Sequence, residues 1–350
     1  MVSALKMNLK RRKFIFALFS LFLLLFLFYL FRKKQSKSYQ FYYSNESNSN
    51  FLDDIREKFN IPALVAAYIK DGRLEFIGAT GHIKQGSREV VSDDDAFHIG
   101  SCTKSMTATM LAILVEQGKL SWNTTVADIF PELKDKMHPD YYSVNLLQLL
   151  SHRGGLPDDT RPDFHIFPTL LKLKGDLREQ RKKLIELVLS RKPEYKPGER
   201  MIYSNYGYVI ASAMAEKVTD LSWEELMKKL LFEPLNMKTA GFGAPNRVWG
   251  HRDIFGFCIP IKPGPEADNP PVIAPAGGVR CSIKDWAKFA IFHLEGIQGK
   301  SSILSPKSFH YLHTDHYLQG YSLGWNIVER VWANEIMACS QNKFCFSCSY

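Results

Sequence analysis

An apolar run without a single charged residue divides this chain into parts that must fold in different surroundings. The run extends from Phe14 to Phe31, and only Ser20 within it is clearly polar. A helix of these 18 residues is about 27 Å long, close to the hydrocarbon thickness of a bilayer. The run ends in FRKKQSKS, without the small-x-small cleavage site of a signal peptide. The sequence therefore predicts an uncleaved transmembrane helix over 14–31.

The net charge of +9 comes from the residues around this run. The chain has 45 basic and 36 acidic residues; nine basic residues and no acidic residue lie in 1–37, so the remainder carries 36 of each. A neutral body argues against a nucleic-acid partner. Five of the nine positive charges precede the run and four follow it. The positive-inside rule then favours a cytosolic N-terminus and a body on the non-cytosolic side.

The chain is predicted to have four parts. A short basic tail covers 1–13 and a transmembrane anchor covers 14–31. A flexible linker rich in Ser and Asn covers 32–50, and a folded domain covers 51–350. The predicted localisation is a single-pass membrane protein that contacts the membrane through its N-terminal helix.

Sequence patterns in the folded domain indicate an α+β architecture. Two strand-like runs, Ala63–Lys70 and 73–81, are joined by Asp-Gly, a strong signal for a β-hairpin. Mainly helical patterns follow up to about residue 294, and strand-like residues return after Tyr321. This order predicts an antiparallel sheet built from both chain ends, with helices packed on it and a mostly helical insert.

Several helices carry signals at their ends. The helix that follows Ser101 has apolar residues on one face and Gly118 at its expected C-cap, which predicts an amphipathic helix. The segment SVNLLQLLSHRGG predicts a helix that ends at Gly154–Gly155. Ser282 and Asp285 predict a capping box at the start of a later helix.

A serine and a lysine lie three residues apart where a loop is predicted to become a helix, in FHIGSCTKSMTATM. Ser101 and Lys104 would lie on the same side of that helix, one turn apart. A serine hydroxyl is a weak nucleophile at neutral pH and needs a neighbouring base, a task that a lysine can perform when it is buried. The spacing alone is weak evidence, because Ser3 and Lys6 repeat it ahead of the apolar run.

Five segments in a fixed order carry a resemblance to a known family. They are FHIGSCTKSMTATM, LLQLLSHRGGLP, PGERMIYSNYGYVIA, FEPLNMKTAGFG and APAGGVRCSIKDWAKF. Over about residues 51–330 the chain resembles the serine β-lactamase and penicillin-binding-protein superfamily, and within it the class C β-lactamase-like esterases. The resemblance implies a β-lactamase-like fold and hydrolysis of an amide or ester through an acyl-enzyme. It also implies a small-molecule or peptide substrate, such as a β-lactam, a D-amino peptide or a short ester, and no cofactor.

The resemblance also implies roles for particular residues. Ser101 matches the nucleophile of the family, and Lys104 matches its lysine. Tyr203 matches the tyrosine of a Y-x-N element and would share proton transfer with Lys104, while Asn205 would orient Lys104 and the substrate. The backbone amide of Ser101 would be one of two donors to the oxyanion. A second YSN, at Tyr43, lies in the linker.

One motif of the family is missing from the sequence. A K-T-G or H-x-G motif should follow YSLGW on an edge strand and supply the second oxyanion donor, but the chain continues NIVERVWANEIMACSQNKFCFSCSY. We therefore expect a domain truncated at its C-terminus, with the last strands and helix incomplete. Two interpretations stay open. The first is a membrane-anchored serine hydrolase, and the second is a catalytically impaired homologue that only binds cell-wall peptides or has no activity.

Other reactive residues are given no chemical role. The six cysteines imply no disulfide framework, and Cys345–Cys348, with C-x-x-C spacing, are predicted to be free thiols in an irregular tail. His313–His316, the segment HTDH, could face a metal but is predicted to lie on a solvated loop. His152 resembles a structural loop histidine of the family. Cys102 is predicted to be a small buried side chain.

Overall fold

A computed structural model describes residues 48–158, 167–170, 172–254, 257–264, 267–330, 333–337, 339–342 and 345–348. The predicted basic tail, the transmembrane helix and most of the linker lie outside these residues. Within the described ranges, no helix combines the length and the apolar character needed to cross a membrane. The first helix begins at Asn48, so residues 48–50 are helical and do not belong to the predicted linker.

Helices contain more residues of the domain than strands do. In chain order they are α1 Asn48–Lys58, α2 Thr103–Glu116, α3 Val126–Ile129, α4 Leu146–Leu150, α5 Phe167–Leu170, α6 Leu177–Leu189, α7 Asn205–Thr219, α8 Trp223–Met227, α9 Ala274–Gly277, α10 Ile283–Ile297 and α11 Pro306–His313. Short 3-10 turns lie at Gly100–Cys102, Pro131–Lys136, Pro139–Tyr141 and Pro271–Ile273, and a π turn over Lys228–Phe232 follows α8.

The strands are short and pair in antiparallel fashion. In chain order they are β1 Ala63–Lys70, β2 Arg73–Gly81, β3 Phe97–His98, β4 Gly241–Phe242, β5 Gly250–Ile254, β6 Phe257–Ile261, β7 Val279–Cys281, β8 Tyr321–Ser322, β9 Trp325–Arg330, β10 Ala333–Met337, β11 Cys339–Asn342 and β12 Cys345–Cys348. The sheets have the orders β1-β2, β3-β7-β4, β5-β6, β8-β9-β10 and β11-β12.

Strands from the two ends of the domain do not join into one sheet within the described residues. There β1 and β2 form a two-stranded sheet, and β8, β9 and β10 form a separate one. Both α1 and α10 contact the β1–β2 hairpin, as expected for helices packed on a sheet. The prediction of one sheet built from both chain ends is wrong in this respect, whereas the α+β class and the mostly helical middle are confirmed.

The first hairpin has the turn that its sequence predicts. Ala63 pairs with Gly81 and Lys70 pairs with Arg73, which leaves two residues in the turn. These two, Asp71 and Gly72, both have a positive φ, of 51° and 75°. A turn of this kind matches the right-handed twist of the strands that it joins, and Asp-Gly adopts it with little strain. The predicted β-hairpin is confirmed.

Helix α2, which follows Ser101, is buried on all sides rather than amphipathic as predicted. Its residues Thr103–Leu114 are all buried. Its polar side chains are small enough to hydrogen-bond to nearby carbonyl oxygens: Thr107 Oγ1 donates to Pro275 O at 2.8 Å, and Ser105 Oγ donates to Cys102 O at 2.8 Å. Because buried hydroxyls with partners cost little, the face that looks polar in the sequence can enter the core.

Helix α4 ends earlier than its sequence predicts. It stops at Leu150, with Ser151 as its C-cap, and not at Gly154–Gly155. The physical reason is His152, which has a φ of 58° and so cannot continue a right-handed helix.

Only half of the capping box predicted for α10 forms. Ser282 Oγ accepts the backbone N–H of Asp285 at 3.3 Å, as predicted. The Asp285 carboxylate, however, accepts the backbone N–H of Thr239 at 2.6 Å. The acidic side chain thus joins α10 to the segment before β4 instead of closing its own helix end.

A buried cluster of charged side chains joins three of the helices. Arg181 of α6 is fully buried, and its guanidinium lies 2.7 Å from Glu216 of α7 and 2.7 Å from Glu224 of α8. Glu216 also accepts the backbone N–H of Trp223 at 2.8 Å, which holds the start of α8. A buried charge is tolerated when charged and hydrogen-bonded partners surround it, and removing one partner leaves the other uncompensated.

Replacing Arg181 should therefore destabilise the domain strongly. We expect Arg181→Met to lower the free energy of unfolding by about 3–5 kcal/mol, because two carboxylates lose their buried cation. Arg178→Met is the matched control on the same helix, since Arg178 pairs with Asp220 at 2.8 Å in an exposed position. Its loss should stay below about 1 kcal/mol. Urea unfolding of both variants measures the difference, and equal losses would contradict the assignment.

Candidate active site

Ser101 lies on a turn that two backbone features fix in place. It is the middle residue of the 3-10 turn Gly100–Cys102, between β3 and α2, and is half-buried. Ile99 donates its backbone N–H to Val279 O at 3.1 Å, which anchors the turn to β7. Gly100 has a φ of 53°, a conformation that glycine adopts without strain. Ser101 is partly exposed to solvent, although helix α2, which follows it, is buried.

His98 supports the same turn from the side of β3. Its Nδ1 accepts the backbone N–H of Gly100 at 3.1 Å, and its Nε2 lies 2.8 Å from a carboxylate oxygen of Asp268. Both side chains are largely buried. The two residues before Ser101 are thus held by the His98 side chain and by β7.

Lys104 is the charged group at the centre of the site. Its side chain is almost fully buried, with 1% of its surface exposed. Its Nζ donates to Asn205 Oδ1 at 2.6 Å, to Ala276 O at 2.7 Å and to Ser101 Oγ at 3.2 Å. An ammonium group has three donors, and each of them has an acceptor here. These contacts direct Lys104 Nζ at the serine oxygen.

Tyr203 completes the contacts to the serine. Its hydroxyl lies 2.8 Å from Ser101 Oγ, and 36% of its side chain is exposed. Lys104 Nζ lies 4.7 Å from the centre of the Tyr203 ring, within the range of a cation–π interaction. The structure therefore brings Ser101, Lys104, Tyr203 and Asn205 together, from segments about 100 residues apart in the chain.

Asn205 reaches Lys104 because α7 can approach α4 closely. Asn205 is the first residue of α7, and Ser204 precedes it in an extended conformation. Two residues later, Gly207 lies against the Leu149 carbonyl, where a Cβ would collide with the oxygen. Glycine at this position lets α7 pack close to α4, which places the Asn205 amide within hydrogen-bond distance of Lys104.

His152, interpreted from the sequence as a structural loop histidine without a chemical role, lies beside the site. It is buried, and its ring centre is 4.5 Å from that of Tyr203. Burial, and secondly the charge of Lys104, hold the pKa of His152 well below its usual value. The imidazole is therefore neutral at physiological pH. The segment SHRGG was a visible signal, but its type of role could not be inferred from the residues alone.

Sequence reasoning also missed the contribution of Gly324, in the turn between β8 and β9. It has a φ of 96°, and a Cβ there would lie 2.6 Å from Lys104 C and 2.7 Å from Ser105 Cα. This turn therefore touches the backbone of α2 beside the catalytic candidates. A glycine within a strand-like pattern can mark such a close approach. Gly324 in the segment YSLGW is a glycine of this kind.

Residues considered as metal ligands or redox groups are placed elsewhere. His313 is the last residue of α11, and its Nε2 lies 3.0 Å from His293 Nδ1, so the predicted solvated loop is wrong for this residue. Cys345–Cys348 forms β12 rather than an irregular tail. Cys102 is buried, as predicted. In the part of the chain that the structure describes, no group of His, Cys, Asp and Glu is arranged to hold a metal ion.

Comparison with known proteins gives one consistent result. A family model described as Beta-lactamase matches residues 49–335. A Beta-lactamase of Escherichia coli is 24% identical over 78% of this chain and 68% of its own length, and Penicillin-binding protein 4 of Amycolatopsis lactamdurans is 27% identical over 69% and 62%. The structure of an octameric penicillin-binding protein homologue from Pyrococcus abyssi has a TM-score of 0.66 at 25% identity, covering 83% of this chain and 67% of that one. The chain thus spans 62–68% of the length of these proteins.

Gly324→Ala should disturb the start of α2 as well as the turn. A left-handed conformation alone costs alanine about 1–2 kcal/mol, and here the methyl group would also collide with Lys104 and Ser105. Gly86→Ala is the matched control, because Gly86 has a φ of 76° with no atom within 4 Å of its Cβ position. Thermal unfolding should show a clearly larger loss for Gly324→Ala, and equal losses would exclude the proposed close approach.

Proposed function

The chain belongs to the beta-lactamase and penicillin-binding-protein superfamily of serine hydrolases, and from that premise we propose that Ser101 is its nucleophile. Ser101 Oγ would attack the carbonyl carbon of an amide or ester, and the bond to the leaving nitrogen or oxygen would break. The acyl group would remain on Ser101 until water releases it as an acid. The observation that carries this proposal is the pair of contacts at Ser101 Oγ, from Tyr203 at 2.8 Å and from Lys104 at 3.2 Å.

Lys104 and Tyr203 divide the handling of the proton in this proposal. The three acceptors around Lys104 Nζ fix it beside Ser101 Oγ, where it can share with Tyr203 in moving the serine proton. As the new bond forms, Tyr203 Oη takes the Ser101 proton and gives its own hydroxyl proton to the leaving group, so the tyrosine is neutral before and after the step. Asn205 holds Lys104 in place through its amide oxygen. A positioned acid–base group contributes about 10²–10⁴-fold to the rate of such a step.

We assign the substrate to the acyl compounds that this chemistry can open. A β-lactam, a D-amino peptide and a short ester each offer a carbonyl carbon with a leaving nitrogen or oxygen. The names of the similar proteins, a β-lactamase and a penicillin-binding protein, support the first class. The half-buried Ser101 and the exposed Tyr203 support access by a small molecule or a short peptide.

The domain acts, in this proposal, while tethered to a membrane. The support is the uncharged run over 14–31, with five positive charges before it and four after it. Because the positive-inside rule favours a cytosolic N-terminus, the hydrolase domain would face the non-cytosolic side. Substrates on that side of the membrane would then meet the site directly.

Covalent labelling tests the nucleophile. Intact-mass analysis after incubation with a fluorophosphonate, and separately with a penicillin, should show one adduct per chain. Ser101→Ala should abolish the adduct, whereas Ser3→Ala, which alters the second S-x-x-K match, should not change it. Tyr203→Phe should slow labelling by about 10²–10⁴-fold, since the proton acceptor is lost. Labelled Ser101→Ala would refute the assignment, and labelling without ester turnover would favour the impaired homologue.

Protease accessibility tests the tether and its orientation. Protease added to intact cells that express the full chain should digest the domain, and a tag placed before Met1 should be protected until the cells are lysed. Removal of residues 1–37 should release the domain from the membrane fraction. Protection of the domain in intact cells would overturn the proposed orientation, and release of the full chain by salt washing would overturn the transmembrane anchor.

A further inference from the structure

His152 contacts the polypeptide on both sides of Tyr203. Its carbonyl oxygen accepts the backbone N–H of Ile202 at 2.8 Å, and its Nδ1 accepts the backbone N–H of Ser204 at 3.2 Å. Its ring lies against the Tyr203 ring, with 4.5 Å between their centres and 36° between their planes. One residue thus accepts the backbone N–H groups of the residues before and after Tyr203 and also contacts the Tyr203 ring.

The protonation state of His152 follows from a chain of hydrogen bonds with one possible direction. Leu150 O can only accept, so the Tyr208 hydroxyl donates to it at 2.9 Å. Tyr208 then accepts from the Tyr321 hydroxyl at 3.0 Å, and Tyr321 accepts from His152 Nε2 at 3.1 Å. Burial raises the pKa of Tyr208 and of Tyr321, which keeps both hydroxyls as donors. His152 therefore carries its proton on Nε2 and leaves Nδ1 as the acceptor for Ser204.

The backbone of His152 makes this double contact possible. Its φ of 58° ends α4 and turns the carbonyl and the imidazole toward the same extended segment. Histidine is one of the few residues enriched in this conformation. The conformation is held from the other side by the hydroxyl of Tyr321, on β8.

We propose that His152 is a positioning residue that holds the Tyr203 hydroxyl over Ser101. It does so through the hydrogen bond from the Ser204 N–H to His152 Nδ1 and through the contact between the His152 and Tyr203 rings. The hydrogen bond between His152 Nε2 and the Tyr321 hydroxyl keeps the imidazole in this orientation. His152 does not touch Ser101 in this scheme and exchanges no proton. The inference rests on the proposed function, because it assigns His152 an effect on rate that passes through Tyr203.

A double-mutant cycle tests whether the effect passes through Tyr203. The measured quantity is the rate of Ser101 labelling by a fluorophosphonate. His152→Phe keeps an aromatic ring but loses the acceptor for Ser204, and should slow labelling about a hundredfold, the usual scale for a displaced catalytic group. In the Tyr203→Phe background the same change should have no further effect, within about twofold, because Tyr203 no longer contributes.

Three further variants separate positioning from a general loss of stability. His152→Asn retains an acceptor near Ser204 and should recover at least part of the rate lost in His152→Phe. Tyr321→Phe removes only the hydroxyl that binds Nε2, and its effect should also vanish in the Tyr203→Phe background. His293→Phe is the matched control: His293 is buried and hydrogen-bonded on both ring nitrogens, to Thr109 and His313, away from Tyr203. It should lower the unfolding temperature without slowing labelling of the folded protein.

The outcomes distinguish this inference from the function on which it rests. A wild-type chain that is never labelled at Ser101 overturns the proposed function, and the role of His152 with it. A labelled wild type in which His152→Phe and Tyr203→Phe act additively, or in which His293→Phe slows labelling equally, overturns the positioning role alone. If His152→Phe does not fold, Tyr321→Phe and His152→Asn carry the same test, and additive effects in both overturn the inference.

Discussion

The buried ammonium group of Lys104 is the constraint on which the rest of the site depends. A cation taken out of water is costly unless hydrogen-bond acceptors surround it. The acceptors come from the turn before α2, from the start of α7 and from α9, through Ser101, Asn205 and Ala276. Any change that moves one of these segments removes a hydrogen-bond acceptor from Lys104 Nζ. The same contacts that stabilise the lysine therefore define the position of the serine.

Close approaches between backbones allow these segments to meet. Gly207 lets α7 lie against the carbonyl of Leu149, and Gly324 lets the β8–β9 turn lie against Lys104 and Ser105. A side chain at either position would push a segment of the site outward. The buried Arg181 of α6 contacts Glu216 of α7 and Glu224 of α8, and these contacts also hold α7 in position. Small residues and a buried ion pair thus act together on the helix that carries Asn205.

Part of this arrangement could be predicted from the sequence, and the limits have physical causes. The Asp-Gly hairpin and the shared face of Ser101 and Lys104 follow from local geometry, and Tyr203 and Asn205 followed from the family resemblance. The acceptor at Ala276 could not be predicted, because a backbone carbonyl has no signature in the sequence. Likewise, strands as short as β3 and β4 depend on pairing with β7, a contact between distant parts of the chain. The burial of α2 on all sides was hidden by its serines and threonines, which look polar until their partners are known.

Two buried residues near the Ser101 site have strained backbone conformations, whereas a third such residue, Leu318, is exposed. Most non-glycine residues with positive φ are Asn or Asp in turns and at helix ends, where this conformation costs little. His152 and Leu323 are different, because both are buried and have φ values of 58° and 39°. His152 flanks Tyr203, and Leu323 precedes the glycine that touches Lys104. Such conformations persist only where surrounding contacts over-determine them. The core of the domain therefore maintains strained backbone in the two turns that contact Tyr203 and Lys104.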